Sequence, residues 1–269
     1  VSAGMGEGGR MRAILFDLDG VLYVGDQAID GAAEVLDWVR EMRIPHLFLT
    51  NTTSRPRSAI VTRLAAMGIA VDEAEILTPP VAATAWIVEQ KAEPVALFLP
   101  QATGVEFSGL ELLDEGLEEG AGAVVVGDLG EAWDFSRLNR AFRLLMGGSR
   151  PALVALGMTR YWRAPDGLRL DTAPFVMALS HAAGTEPQVM GKPSPAFFRV
   201  ALGMLGVPAR EVVMIGDDIR GDVAGAQAAG IKGLLVKTGK FQPGDLQGDI
   251  TPDGILDSVA GLPQWWSVT

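Results

Sequence analysis

Two aspartates two residues apart, Asp17 and Asp19, close the apolar run Ile14-Leu15-Phe16 and are followed by Gly20. On an extended strand, residues i and i+2 project from the same side, and a glycine permits the turn that must follow. The spacing therefore predicts two carboxylates side by side at the carboxyl end of a buried strand. Clustered carboxylates repel one another unless a cation joins them. A hard divalent metal with oxygen ligands is the simplest such cation. A pair of turn-forming aspartates after a strand is the reading that needs no metal.

Groups of related chemistry stand at other predicted strand ends. The run Leu47-Phe48-Leu49 ends at Thr50-Asn51, and a strand over 211–216 ends at Asp217-Asp218, with Asp222 one helical turn further on. Lys192 precedes Pro193-Ser194-Pro195, where Ser194 suits a helix N-cap and Pro195 the first helical position. In open parallel sheets, ligands bind at the carboxyl ends of the strands. Several carboxylates, one hydroxyl and one lysine gathered there are what metal-assisted phosphoryl transfer needs. A few carboxylates hold Mg²⁺, one carboxylate attacks phosphorus, a second acid or base moves the proton, and a lysine and hydroxyl or backbone donors hold the transferring oxygens.

The elements that must position these groups alternate strand and helix. Strands are expected over 12–17, 47–49, 76–78, 94–99, 123–127, 152–157, 211–216 and 233–237. Helices are expected over 31–42, around 60–67, and over 81–91, 105–116, 134–146 and 174–183, then from Pro195 and after Asp218. Val35, Leu36, Val39 and Met42 illustrate the helical spacing. The alternation is that of parallel sheets covered on both faces. Seven or more such units exceed one open sheet, so two domains are expected. Pro79-Pro80, read as a break, and the segment 184–187 mark the crossings, which makes the middle piece an insertion. The tail Leu262-Pro263-Gln264-Trp265-Trp266 reads as a packed C-terminus.

Composition narrows the classes. A formal charge of -11 argues against nonspecific binding to nucleic acid or anionic membrane. The chain has no cysteine, which removes disulfides, zinc fingers, iron–sulfur clusters and thiol nucleophiles, and a cytoplasmic home fits. No apolar run approaches the ~20 residues of a membrane span. Residues 1–10 read as a flexible glycine-rich extension. Their Gly4-Met5-Gly6-Glu7-Gly8-Gly9 matches a dinucleotide fingerprint by letter but precedes the first strand instead of following one. Val21 and Leu22 stand where a calcium loop needs oxygen ligands. No Gly-x-Ser-x-Gly elbow supports a serine hydrolase. The two histidines, His46 and His181, read as structural.

Asp17-Leu18-Asp19-Gly20, Thr50-Asn51, Gly191-Lys192-Pro193, and Gly216-Asp217-Asp218 with Asp222 follow in that order. Together they resemble the four motifs of the haloacid dehalogenase (HAD) superfamily of phosphohydrolases. The stretch between the second and third motifs resembles the large α/β cap of its subfamily IIA, and the runs Val213–Asp218 and Leu235–Lys240 look closest to that subgroup's hydrolase-domain-containing members. The resemblance implies an α/β fold with a Rossmann-like parallel-sheet core of strand order 5-4-1-2-3 and an inserted α/β cap. The expected domains are the core over 11–79 and 188–269 and the cap over 80–187.

The resemblance also assigns roles. Asp17 would be the nucleophile that takes the phosphoryl group and a ligand of Mg²⁺. Asp19 would be the general acid and base, with its backbone carbonyl on the metal. Its presence favours a phosphatase over a dehalogenase. Thr50, Asn51 through its backbone, Leu18 and Lys192 would bind the phosphate. Asp217 would be a metal ligand, and Asp218 would support the metal directly or through water. Asp222 would orient Lys192 or a metal-bound water. Arg160 and Tyr161, in the basic-aromatic run Arg160-Tyr161-Trp162-Arg163, would contact the leaving group, or pack as a surface turn or dimer contact. Tyr23 and Val24 would line the same side.

The expected enzyme is an Mg²⁺-dependent phosphatase acting on a small phosphorylated metabolite. Caps of this subgroup often dimerise, so a homodimer through the cap is among the expectations. A phosphotransferase using the same aspartyl-phosphate is the enzymatic rival, but mutases of the superfamily carry a small cap between the first two motifs, and only 30 residues separate Asp19 from Thr50. A binding protein on a retired phosphatase core is the non-enzymatic rival, against which the intact set Asp17, Asp19, Lys192 and Asp217 argues.

Overall fold

The computed structural model describes residues 10–164 and 166–268. Of the extension expected over residues 1–10, all but Arg10 lies outside the described residues. The chain folds as two compact units. One holds the chain up to Leu49, Arg63–Ile76 and everything from Ala201; the other holds Thr50–Thr62 and Leu77–Val200. In chain order the strands are β1 (Ala13–Asp17), β2 (Tyr23–Val24), β3 (Gln27–Ala28), β4 (His46–Leu49), β5 (Ile76–Leu77), β6 (Val95–Phe98) and β7 (Ala123–Val126). There follow β8 (Ala152–Ala155), β9 (Tyr161–Ala164), β10 (Gly167–Leu170), β11 (Gln188–Val189), β12 (Val212–Gly216), β13 (Lys232–Val236) and β14 (Gly254–Leu256).

The first unit is built on a sheet of order β14-β13-β12-β1-β4-β5, with β5 at the edge where the chain leaves the unit. β1 lies at the centre, parallel to β12 on one side and to β4 on the other. Counted along the core alone, this is the expected 5-4-1-2-3 order with a sixth strand, β14, added at the edge. Every residue of β1 and β12 is buried, as parallel strands covered on both faces must be. Their side chains are accordingly apolar until the last residue, and polar groups enter at the ends. The register Phe16↔Ile215 brings those ends level. The helix Ala32–Glu41 buries Ala32, Val35, Leu36 and Val39. The helix Leu262–Trp266 closes the chain, with Trp266 edge-on to Trp38 at 6.2 Å.

The second unit carries a parallel sheet of order β11-β8-β7-β6. Its core joins Phe98, Val124, Val126, Leu153 and Ala155 from the strands to Leu144 and Leu145 of the helix Phe135–Leu145 and Val176 and Leu179 of the helix Thr172–Ala183. The antiparallel hairpin β9–β10 follows the sheet's third strand, with Tyr161 opposite Leu170 and Arg163 opposite Leu168.

Three expectations need correction. No helix spans 105–116: a 3-10 turn at Val105–Phe107 ends the helical stretch, and the chain then runs extended enough for Leu112 to bridge to Val95. Gly109 and Gly116, which favour irregular backbone over helix, outweigh the apolar spacing there. Pro79-Pro80 does not break the chain but opens the helix Pro79–Gln90, with Thr78 as N-cap, because proline lacks only an N–H that a first turn leaves unsatisfied anyway. Of the three readings open for Arg160–Arg163, the surface turn is corrected, since Tyr161–Arg163 lie in strand β9.

Candidate active site

β1 ends in Asp17, and its neighbour β12 is followed at once by Asp217. Beyond β12 the chain enters a π-helix, Ile219–Ala224, which contains Asp222. Its wider turn returns Asp222 to the strand end, where a Cβ on Gly216 would collide with the Asp222 side chain. Asp17, Asp217 and Asp222 are all buried, and one carboxylate oxygen from each lies within 4.8 Å of the others. Two unit charges at that separation repel by about 3–4 kcal/mol at an effective dielectric of ~20. Three such pairs rival the ~5–15 kcal/mol net stability of a whole domain. A divalent cation removes that repulsion, and a small set of hard oxygen donors suits Mg²⁺, so the donor set fits the metal that the resemblance implies.

The carboxylates are held by backbone. Asp217 Oδ2 accepts the Lys240 N–H at 2.6 Å, and Asp222 Oδ2 accepts the Asp218 N–H at 3.1 Å. Gly20 (φ +88°) and Gly239 (φ +60°) both approach Asp217 so closely that a Cβ on either would fall on its carboxylate. The Thr238 hydroxyl donates to the Gly20 carbonyl, tying those two loops together.

The neighbouring acids are placed differently. Asp19 is exposed on the turn after β1, where the Gly20 N–H donates to the Tyr23 carbonyl at 2.7 Å. Asp218 lies outside the trio: its Oδ1 accepts the N–H groups of Arg220 (3.0 Å) and Gly221 (2.8 Å), capping the π-helix. Its Oδ2 is 3.9 Å from Lys240 Nζ. Leu18 is buried. Tyr23 is buried under the Arg63 guanidinium, 4.8 Å from its ring centre, while Val24 is exposed.

The other sequence-predicted residues belong to the second unit. Thr50 is buried, with its hydroxyl 2.9 Å from that of Thr52. Asn51 and Lys192 are joined by two hydrogen bonds: Asn51 Nδ2 donates to the Lys192 carbonyl at 3.0 Å, and the Lys192 N–H donates to Asn51 Oδ1 at 2.8 Å. Downstream, Glu106 anchors the loop, accepting from Arg57 N (2.8 Å) and Arg57 Nε (3.0 Å), and Thr103 Oγ1 donates to the Thr53 carbonyl at 2.9 Å. Arg160 and Tyr161 are exposed, with the guanidinium 5.7 Å from the ring centre. Asp128, after β7, has its carboxyl pushed above the ordinary range by burial and by nearby Asp171, against the pull of the Gly130 N–H.

The sequence did not single out Gly239, Lys240 or Glu106. Gly239 and Lys240 act through backbone, which leaves no chemical signature. Glu106 sits in the segment expected to be helix. Asp222 was singled out for orienting Lys192 or a metal-bound water, and the structure adds that it is buried beside Asp17 and Asp217.

The comparisons with known proteins agree with this geometry. A family model described as haloacid dehalogenase-like hydrolase matches residues 14–108, and one described as HAD-hydrolase-like matches 189–262. The human phospholysine phosphohistidine inorganic pyrophosphate phosphatase is 37% identical over 255 residues, covering 93% of this chain and 92% of that protein. The haloacid dehalogenase-like hydrolase domain-containing protein 2 of Bos taurus is 39% identical over 235 residues, 87% of each chain. Among solved structures, a p-nitrophenyl phosphatase from Archaeoglobus fulgidus superposes with a TM-score of 0.83 at 28% identity, covering 96% of this chain and all of that one (100%). The chain belongs to the haloacid dehalogenase-like hydrolases, among the phosphatases with a large α/β cap between the second and third motifs.

Proposed function

We propose that this protein is an Mg²⁺-dependent phosphohydrolase that cleaves a small phosphorylated metabolite through a phosphoaspartate on Asp17. The observation that carries the reading is the buried trio of Asp17, Asp217 and Asp222, with oxygens within 4.8 Å of one another at the end of a central parallel strand. Asp17, Asp217 and Asp222, with the Asp19 backbone carbonyl, would hold Mg²⁺, and the Asp218 N–H would steady Asp222. When bound, the ion supplies positive charge that lets a carboxylate approach an anionic phosphoryl group.

Asp17 attacks phosphorus and the bond to the leaving oxygen breaks. Asp19 gives that oxygen a proton, then takes one from the water that hydrolyses the acyl phosphate. The exposure of the Asp19 side chain suits a group that must meet both leaving group and water. Thr50, the Asn51 backbone, Leu18 and Lys192 are assigned to the transferring oxygens. Arg160 and Tyr161 are assigned to the leaving-group side. Residues 80–187 are read as the cap domain, and the lack of cysteine supports a cytoplasmic setting.

The test is phosphate release from a panel of phosphorylated metabolites with Mg²⁺ or chelator, with Asp17→Asn as the blank. The human relative's name places phospholysine, phosphohistidine and pyrophosphate at the head of that panel, and the archaeal one adds 4-nitrophenyl phosphate. Mg²⁺-dependent release by the native protein alone is expected. Equal release by Asp17→Asn would remove the phosphoaspartate, and phosphate binding without turnover would favour a retired core.

A further inference from the structure

The Asn51 carboxamide satisfies both backbone groups of Lys192, a residue 141 positions away in the chain. The pairing fixes the amide's orientation, since only its oxygen can accept the N–H and only its nitrogen can donate to the carbonyl. Room for this clamp comes from Gly191, where a Cβ would press to 3.1 Å from both Asn51 Oδ1 and the Leu156 carbonyl oxygen. Lys192 itself stands between β11 and the helix Pro195–Leu205, in neither element's hydrogen-bond ladder. A lysine has a flexible four-carbon stem, so the place its ammonium reaches depends on where its backbone is held.

We propose that Asn51 is the positioning residue for Lys192: its side chain fixes the backbone from which the ammonium reaches the phosphoryl group. The proposal rests on the phosphoryl-binding role of Lys192 given above. It adds a duty for the Asn51 side chain, separate from that of its backbone N–H. The Asn51 side chain then acts on turnover through Lys192 alone.

The experiment pairs a structural and a kinetic reading. Amide hydrogen exchange at Lys192 is followed by NMR in the native protein, Asn51→Ala and Asn51→Asp. Native and Asn51→Asp, which keep the acceptor, should protect the Lys192 N–H, and Asn51→Ala should lose that protection. Unchanged protection in Asn51→Ala would overturn the clamp whatever the enzyme does.

The kinetic arm is a cycle of Asn51→Ala, Lys192→Ala and the double variant. It is read on 4-nitrophenyl phosphate hydrolysis with Mg²⁺ and on inorganic phosphate affinity, each variant being first shown folded by circular dichroism. Asn51→Ala should lower kcat/KM roughly ten- to hundredfold, the scale of a misplaced catalytic group. With Lys192 already removed, it should cost less than about twofold more, because groups acting as one unit are not additive. An equal cost in both backgrounds would mean that Asn51 acts independently of Lys192, and would overturn the proposal. Lys192→Ala with native rates and phosphate affinity would remove the phosphoryl role of Lys192, and with it the positioning claim, even if the exchange result held.

Discussion

The carboxylate of Asp217 lies against the α-carbon of Gly20, leaving no space for a methyl group between them. Gly20 also has φ +88°, where an L-residue is strained. Gly20→Ala should therefore cost more than about 1–2 kcal/mol of stability, the left-handed penalty alone. It should also abolish the response to Mg²⁺, because Asp217 must swing away. Denaturant unfolding measures the first effect and thermal shift with added Mg²⁺ the second. A normal Mg²⁺ response in Gly20→Ala would show that Asp217 is not needed there.

Metal should act on stability as well as on rate. A ligand that binds only the folded state adds about 2.7 kcal/mol at a hundred times its dissociation constant. Mg²⁺ should raise the Tm of the native protein in a concentration-dependent way, and Asp17→Asn should remove most of that rise. In chelator the order reverses: Asp17→Asn, which deletes one of three crowded charges, should melt higher than the native protein. If the two melt together in chelator, the buried acids are not repelling one another.

The pair Arg57–Glu106 offers a test away from the acids. Glu106 has 6% of its side chain exposed and Arg57 26%. Deleting one partner of a fully buried pair costs ~3–5 kcal/mol, so with Arg57 partly in water Arg57→Ala should lose about 2 kcal/mol. It should also lower turnover, because the loop from Thr50 to Arg57 loses its anchor. Urea unfolding and steady-state kinetics check both.

Asp128 gives stability a pH dependence of definite sign. Its carboxyl titrates above the ordinary range in the folded state, so the folded protein binds that proton more tightly than the unfolded chain. Stability from this group is fully present below the unfolded pKa and is lost as pH rises through the folded one. Asp128→Asn should therefore raise Tm at neutral pH, with the gain shrinking as pH falls through the raised folded pKa and gone below the ordinary carboxylate range. A gain that is constant across that range would point to packing instead of charge.

Much of the core was legible because its strands are apolar runs that stop abruptly at polar residues. Ile14–Phe16 stops at Asp17 and Val212–Ile215 stops before Asp217, and parallel topology puts such stops at one edge. What stayed hidden depends on distance through space. Asp222 was named with the strand-end acids, but its spacing from Asp217 does not announce the π-helix that returns it to them. The segment after Val105 has helical apolar spacing, yet Leu112 finds Val95 as a strand partner. In the hairpin β9–β10, Tyr161, Leu168 and Leu170 stay exposed, so no burial pattern marks it as strand.

Asp217 and Asp218 look like one acidic doublet, yet the fold uses them differently. Capping a helix is work that serine, threonine or asparagine does about as well as aspartate, so position 218 can drift among four residues with little change in stability. Position 217 is wedged between two glycines, each so close that a Cβ would fall on the carboxylate, which leaves no space for a longer side chain. Of two identical neighbours in the chain, one caps the turn that follows and the other is packed among buried acids.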